Sequence, residues 1–261
     1  DVNSTGYYVQ HQFKGTKLNT QVGVRVEDNE KYGSHTVGQI AARYQLLQST
    51  SVYANVGTAF KSPTLNELYN SWNGNPDLNP EESRSYEIGL DQNLAYGFQT
   101  GLSAYYTEVK DLIASVNFGK LGNINKASYQ GGELYLGWQQ ADLFAKATYS
   151  YVKPENEETH EDLGRRPRQG LTLTTGIQND VYGISASLVA KSKSKEWDAN
   201  YKTPGYATVD VNAFWNVNPN VKLFTNIQNS GDCEYKTAYQ DQGYYYVNGG
   251  RLASAGVTFK Y

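Results

Sequence analysis

Residues Leu18–Val26 read LNTQVGVRV. Leu18, Thr20, Val22, Val24 and Val26 share one side of a strict alternation, with Asn19, Gln21, Gly23 and Arg25 on the other. A pleated strand puts successive side chains on opposite faces, whereas a helix repeats its apolar positions every three to four residues. The stretch is therefore read as a strand with one greasy and one polar face. The same rule recurs down the chain. Val52, Ala54, Val56, Thr58 and Phe60 alternate with Tyr53, Asn55, Gly57 and Ala59. Leu134, Leu136 and Trp138 alternate with Glu133, Tyr135 and Gln139, and Leu171, Leu173, Thr175 and Ile177 with Thr172, Thr174 and Gln178. Val209, Val211, Ala213, Trp215 and Val217 follow suit, as do Ala255, Val257, Phe259 and Tyr261.

About thirteen such strands are expected, at 6–14, 17–28, 34–46, 49–60, 81–95, 97–115, 124–139, 141–153, 166–179, 181–193, 205–217, 220–229 and 248–261. Most approach the ~10 residues a tilted strand needs to cross a bilayer. Their connections alternate in length. Short ones fall at Gly15-Thr16, Leu47–Thr50, Ala95–Gly97, Gln140–Asp142, Asn179–Tyr182 and Asn218–Asn220; long ones at 28–33, 61–80, 116–123, 154–165, 194–204 and 230–247. Short turns on one rim and long loops on the other are the pattern of a transmembrane β-barrel. Charges on the polar face (Arg25, Arg43, Glu87, Lys222) suit a wet lumen and would be costly in a dry core. Aromatic residues near strand ends, such as Tyr44, Phe60, Tyr106, Trp138, Tyr149, Tyr151, Trp215 and Tyr261, suit interfacial girdles. A soluble antiparallel β-protein explains the alternation equally well, but not the loop asymmetry or the girdles.

Composition excludes several classes. A net charge of −3 over 261 residues gives no basic field, so no nucleic-acid partner is expected. The single cysteine, Cys233, rules out an internal disulfide framework and a cysteine-based metal site. Tyr (23) and Gly (25) are abundant and Met is absent, which favours strands and turns. No apolar run approaches the roughly 18 residues of a spanning helix, and no signal peptide is visible. The low mean hydropathy has the look of a soluble chain, yet a barrel is apolar on one face only.

The segments "GTAFKSPTLNELY" (Gly57–Tyr69) and "GNPDLNPEESRSYEIGL" (Gly74–Leu90) closely resemble the TonB-dependent outer-membrane receptors of Gram-negative bacteria. So do "YYTEVKDLI" (Tyr105–Ile113), "NINKASYQGGELYLGW" (Asn123–Trp138), "GRRPRQGLTL" (Gly164–Leu173) and "PGYATVDVNAFWNVNPNVKLFTNIQN" (Pro204–Asn229), in the family's order. Tyr261 matches the terminal aromatic by which the assembly machinery reads the last strand. The cobalamin and siderophore branch is nearest. Two departures bear on local packing. "NSGDCEY" (Asn229–Tyr235) puts Ser230 and Gly231 where the family has apolar residues, and Gly132 stands where a β-branched residue is usual.

The resemblance implies an all-β fold: an antiparallel transmembrane β-barrel in the bacterial outer membrane. Residues 1–261 would supply the last thirteen or so strands of a barrel of about 22, without the N-terminal plug and its TonB box. The chain is then expected to be part of a receptor for a scarce large nutrient, whether cobalamin, ferric siderophore or haem. Its expected partners are the TonB energy-coupling complex (through the plug), outer-membrane lipid and lipopolysaccharide. No cofactor, metal or enzymatic step is implied. The competing readings are a passive outer-membrane porin or barrel anchor domain, and a soluble β-protein. A plugless closed barrel would have an even strand count.

Candidate site residues lie in the long loops. Tyr69, Trp72 and Asn73, between Pro63 and Pro76, would contact a large, partly apolar ligand at the extracellular mouth, or simply pack the loop and cap turns. Tyr239, Tyr244 and Tyr245, in "YQDQGYYYVNGG", would stack on and hydrogen-bond such a ligand, or form an upper girdle with Tyr246. Arg165, Arg166 and Arg168 would grip lipopolysaccharide phosphates or pair with loop carboxylates such as Glu161 and Asp162. Loop 154–165, "PENEETHEDLGR", is rich in carboxylates but lacks a cation-loop spacing with a fixed glycine, so a solvated acidic loop is expected. His11, His35 and His160 are too scattered for a metal cluster. No nucleophile elbow or phosphate-cradling glycine loop appears. The positions of His35 and His160 in or beside long loops leave an enzymatic barrel open in principle; the family motifs argue against it.

Overall fold

The computed structural model describes residues 2–116, 119–198 and 200–260. Alternating sequence becomes alternating strand throughout. The strands are β1 (Ser4–Lys14), β2 (Leu18–Asn29), β3 (Gly33–Leu47), β4 (Thr50–Lys61), β5 (Glu81–Asn93), β6 (Phe98–Ser115), β7 (Leu121–Gln140), β8 (Leu143–Asn156) and the short β9 (Glu161–Asp162). They continue with β10 (Gln169–Gln178), β11 (Tyr182–Lys191), β12 (Ser194–Lys195), β13 (Lys202–Thr203), β14 (Tyr206–Asn218), β15 (Val221–Gln228), β16 (Lys236–Tyr239), β17 (Tyr245–Val247) and β18 (Leu252–Phe259). The main sheet has the order β1-β2-β3-β4-β5-β6-β7-β8-β10-β11-β14-β15-β18, with β9 on β8. Those thirteen strands match the sequence expectation within four residues at every end. Loops also hold what the sequence did not announce: helix α1 (Leu65–Tyr69), the β9 turn-back, and the separate ribbons β12–β13 and β16–β17. They escape a periodicity argument because two to five residues are too few to show a period.

Contacts divide the chain into two compact units. The first comprises Asp1–Gln92, Leu102–Gly132 and Val152–Leu163; the second comprises Asn93–Gly101, Glu133–Tyr151 and Gly164–Tyr261.

In the first unit, antiparallel register lines up Val22, Ile40, Val56 and Tyr86 on one face of β2 to β5. These side chains are exposed; Ile40 retains 61% of its surface and Ile88 64%. The opposite face is polar. Arg43 bonds Asp91 (2.5 Å) and Ser51 (2.7 Å), and Ser85 meets Thr107 (2.9 Å). Buried apolar residues lie near one set of strand ends. Val109, Leu112, Ala127 and Leu163 form one cluster; Leu68, Leu78 and Ile113 form another. Gly132 is explained here, because a Cβ on it would lie 2.6 Å from the Ser103 carbonyl oxygen.

The second unit repeats the rule. Ile177, Ile184, Ala213 and Thr225 share a row, as do Tyr182, Trp215, Leu223 and Val257. Ile184, Trp215 and Val257 are exposed. The other face pairs Thr174 with Ser187 (3.0 Å) and sets Lys222 over Phe214 (4.4 Å). The 95–97 turn needs two left-handed residues, Tyr96 (φ 59°) and Gly97 (φ 79°). The "NSGDCEY" departure is a loop hub. Asn229, left-handed at φ 48° and buried, accepts from the Cys233 amide (3.0 Å) through its side-chain oxygen and donates its backbone amide to the Asp210 carboxylate (2.7 Å). A polar hub stands where the resemblance implies apolar residues.

Outside the two small clusters near the ends of β6 and β7, the aliphatic residues of the alternating rows are exposed in both units and do not turn inward onto one another. That removes the soluble β-protein alternative, which needs them in a dry centre. Tyr261, expected as an assembly signal, lies outside the described residues.

Candidate functional site

In the first unit, the loop between β4 and β5 is a folded object. Pro63-Thr64 breaks the strand, and Thr64 caps α1. Its hydroxyl accepts from the Glu67 amide (3.2 Å), while the Glu67 carboxylate accepts from the Thr64 amide (2.7 Å). This is a reciprocal capping box, satisfying two otherwise orphaned donors. Burial works against the Glu67 charge, but hydrogen bonds from the Thr64 amide and hydroxyl, and then Lys61, hold its carboxyl below the ordinary value. Lys61 bridges Glu67 (3.2 Å) and Glu81 (3.0 Å), and Glu81 also accepts from the Ile113 amide (3.1 Å). Leu68, 2% exposed, pins the helix onto Leu78 and Ile113.

On this anchored base Trp72 stands 90% exposed and Tyr69 is likewise exposed. Lys31 lies 5.5 Å from the Tyr69 ring. Asn73 contributes its backbone carbonyl to the Leu121 amide (3.0 Å). Trp72 and Tyr69 are thus available to a ligand, while Asn73 also ties the loop to β7.

His35 stacks on Phe60 at 3.7 Å, and His160 meets Glu155 at 3.1 Å. In the acidic loop Glu155 also pairs with Lys153, and Asn125 donates to Glu158 (2.7 Å).

In the second unit, Tyr239 is 3% exposed. Its ring stacks on Tyr201 (4.0 Å) and touches Trp197 (5.7 Å) and Tyr245 (5.4 Å). Tyr245 donates its hydroxyl to the Lys202 carbonyl (3.1 Å), with Lys236 4.0 Å over its ring. Tyr244 is 68% exposed and Tyr246 is exposed too. Arg165 (φ 60°) is bound by the fully buried Glu196 carboxylate (2.7 Å) and donates to the Tyr239 carbonyl (2.6 Å). Thr203 closes on the other Glu196 oxygen. Arg166 donates to the Gly164 carbonyl (2.8 Å), and Arg168 has contacts of its own. Three loops are therefore locked by one buried carboxylate and one aromatic stack, presenting Tyr244 and Tyr246 outward. Sequence reasoning missed Glu196, Trp197 and Tyr201. Their only signal was a third aromatic-rich long loop, "KEWDANYK" (Lys195–Lys202).

An antiparallel wall with apolar residues exposed on one face, charges and amides on the other, and structured aromatic loops at strand ends defines an outer-membrane transmembrane β-barrel. Residues 1–230 match the family described as "TonB dependent receptor-like, beta-barrel", and the chain belongs to it. Among relatives, it is 28% identical over 260 residues to the vitamin B12 transporter BtuB of Vibrio vulnificus (strain YJ016), covering 97% of this chain and 42% of that one. A mutant ferric enterobactin receptor, PfeA, of Pseudomonas aeruginosa superposes with a TM-score of 0.80 at 18% identity, over 99% of this chain and 45% of that one. The siderophore receptor PiuA of Acinetobacter baumannii gives 0.75 at 23% identity, over 100% and 43%. The chain thus spans less than half the length of these proteins.

Proposed function

We propose that this chain forms the C-terminal wall and loops of an outer-membrane receptor for energy-coupled uptake of a scarce, large nutrient: cobalamin, a ferric siderophore or haem. The names of the similar proteins support the first two classes. The observation that carries the reading is Trp72, an almost fully exposed indole on a loop held rigid by a capping box, an ion-pair bridge and a buried leucine. Exposed large aromatics on a rigid base are favourable ligand anchors, because little order is lost on binding. Tyr69 and Asn73 flank it, and Tyr244 with Tyr245 plays the corresponding part in the second unit, Tyr239 holding that loop in shape. The plug supplied by the rest of such a receptor gates the lumen, and the TonB complex supplies energy through it. Arg165, Arg166 and Arg168 serve the lipopolysaccharide contact, Arg165 through its hold on the loops. Binding and gating suffice, with no covalent step and no cofactor.

The test is a binding screen of the full-length receptor against the three ligand classes. One class is expected to bind, and Trp72→Ala to weaken it about tenfold. No binding in any class, or unchanged affinity in both Trp72→Ala and Tyr244→Ala, refutes the reading.

A further inference from the structure

Two Asn-Gly pairs occur in the sequence, Asn73-Gly74 and Asn248-Gly249. In both, the residue after the asparagine has no Cβ, so its backbone nitrogen can approach the asparagine side-chain carbonyl unhindered. As sequence the two pairs are equivalent; folding makes them unequal.

In the loop between β4 and β5, Gly74 is packed. Its amide donates to the Asn70 carbonyl (2.9 Å), and a Cβ on it would lie 2.5 Å from the Asn70 nitrogen. Bonds from the Leu121 amide to the Asn73 carbonyl (3.0 Å) and from the Asn75 amide to the Glu67 carbonyl (2.9 Å) fix the backbone on both sides. An attacking nitrogen there must break its own hydrogen bond and move against a pinned chain.

Gly249 is the opposite case. It is exposed, in the irregular stretch between β17 and β18. Its amide carries no hydrogen bond among the described residues, and a Cβ on it would meet nothing within 4 Å. The neighbouring side chain is held and polarised. Asn248 Oδ1 accepts from the Tyr235 amide (2.8 Å), which draws electrons from the side-chain carbonyl carbon and favours negative charge forming on that oxygen. Nδ2 donates to the Cys233 carbonyl (3.1 Å). The electrophile is fixed in place, and the nucleophile beside it is free.

We propose that Asn248-Gly249 is a self-modification site, at which the asparagine converts through a cyclic imide to aspartate and isoaspartate. The Gly249 nitrogen gives its proton to solvent hydroxide and bonds to Cγ of Asn248. The Cγ–Nδ2 bond breaks, and Nδ2 takes a proton from water and leaves as ammonia. Water then opens the ring at either carbonyl, one opening giving aspartate and the other isoaspartate. Water is consumed and ammonia released, with no change of oxidation state. Either product lacks the Nδ2 donor to the Cys233 carbonyl. Each adds negative charge to a loop where the Asp232 carboxylate already accepts the Arg251 amide (2.8 Å). Isoaspartate also lengthens the backbone between β17 and β18. Conversion therefore loosens the base of the β16–β17 ribbon that presents Tyr244 and Tyr246.

The experiment incubates the full-length receptor in detergent at mildly alkaline pH. Peptide mapping by mass spectrometry follows Asn73 and Asn248, with chromatography separating the aspartate and isoaspartate forms. Folded wild type is compared with the same protein in urea and with folded Gly249→Ala, whose added methyl meets nothing and whose position is not left-handed. In the folded receptor, conversion at Asn248 is expected to be about tenfold faster than at Asn73, and Gly249→Ala to slow it about tenfold. In urea the two positions are expected to convert alike. Protease cleavage within 230–251 is expected to rise in step with conversion. Equal rates at Asn73 and Asn248 in the folded receptor overturn the site, as does an unchanged rate in Gly249→Ala. So does a folded Asn248 that stays intact while the urea sample converts, or the same preference persisting in urea. Cleavage that does not rise overturns the loosening.

Discussion

Glu67 shows how much of a loop can depend on one carboxylate. It caps α1, accepts from Thr64 and meets Lys61. Its folded value lies below the ordinary 4.5, so the folded loop holds the charge to lower pH than the open chain does. The stabilisation is then complete above that ordinary value and fades as pH falls through the lowered one. Protease cleavage within 62–80 is expected to rise as the medium is acidified into that range, and Glu67→Gln to remove the pH dependence. Thr64→Ala is expected to weaken the loop by about 1 kcal/mol at neutral pH; cleavage no faster than wild type would contradict the capping role. Gly97 is a second single-residue determinant. Its φ of 79° is left-handed, and an added Cβ would lie 1.9 Å from the Gln139 carbonyl oxygen. Gly97→Ala is expected to lower stability by about 1–3 kcal/mol, read as a shifted urea midpoint for the full-length receptor in detergent.

At the scale of the strand, the period of two decides which face meets lipid. Ile40 and Ala41 are adjacent, yet only Ile40 belongs to the exposed aliphatic row with Val22 and Val56. Ile40→Lys is expected to cost about 2–4 kcal/mol in phospholipid vesicles. Ala41→Lys, on the face of Arg43 and Gln39, is expected to cost far less. Urea unfolding of both variants checks this, and the reverse order would mean the faces are exchanged. Strand positions were legible because alternation and turn residues are local properties. The 65–69 helix and the 236–247 ribbon were not, being short and stabilised from a distance. Leu68 needs Ile113, 45 residues on, and Arg165 reaches the Tyr239 carbonyl across 74 residues.

At the scale of the whole molecule, the main sheet has two ends. Among the described residues β1 pairs with β2 alone and β18 with β15 alone. Edge strands in hydrocarbon leave unsatisfied backbone groups at several kcal/mol each. Residues 1–261 reconstituted by themselves in liposomes are therefore expected to show no energy-coupled uptake, and the full-length receptor of the proposed function is expected to show it. Uptake by the isolated chain above protein-free vesicles would contradict this. The candidate site was half legible at this scale. The loops of interest could be picked out by their tyrosines and tryptophans, but not the part each ring plays. Trp72 stands free, while Tyr239 is buried under Tyr201 and Trp197.

Alternation and loop lengths, read from the amino acids in order, determined the strands, their two chemically distinct faces and the outer-membrane barrel class. Those features arise from near neighbours and from the requirement that backbone groups in lipid be paired within the sheet. Only the tertiary structure decided which loop aromatics stand exposed and which are buried as packing. It also showed that Glu196 holds three loops together. These outcomes depend on partners tens of residues apart and on the register between strands, which no window of sequence contains.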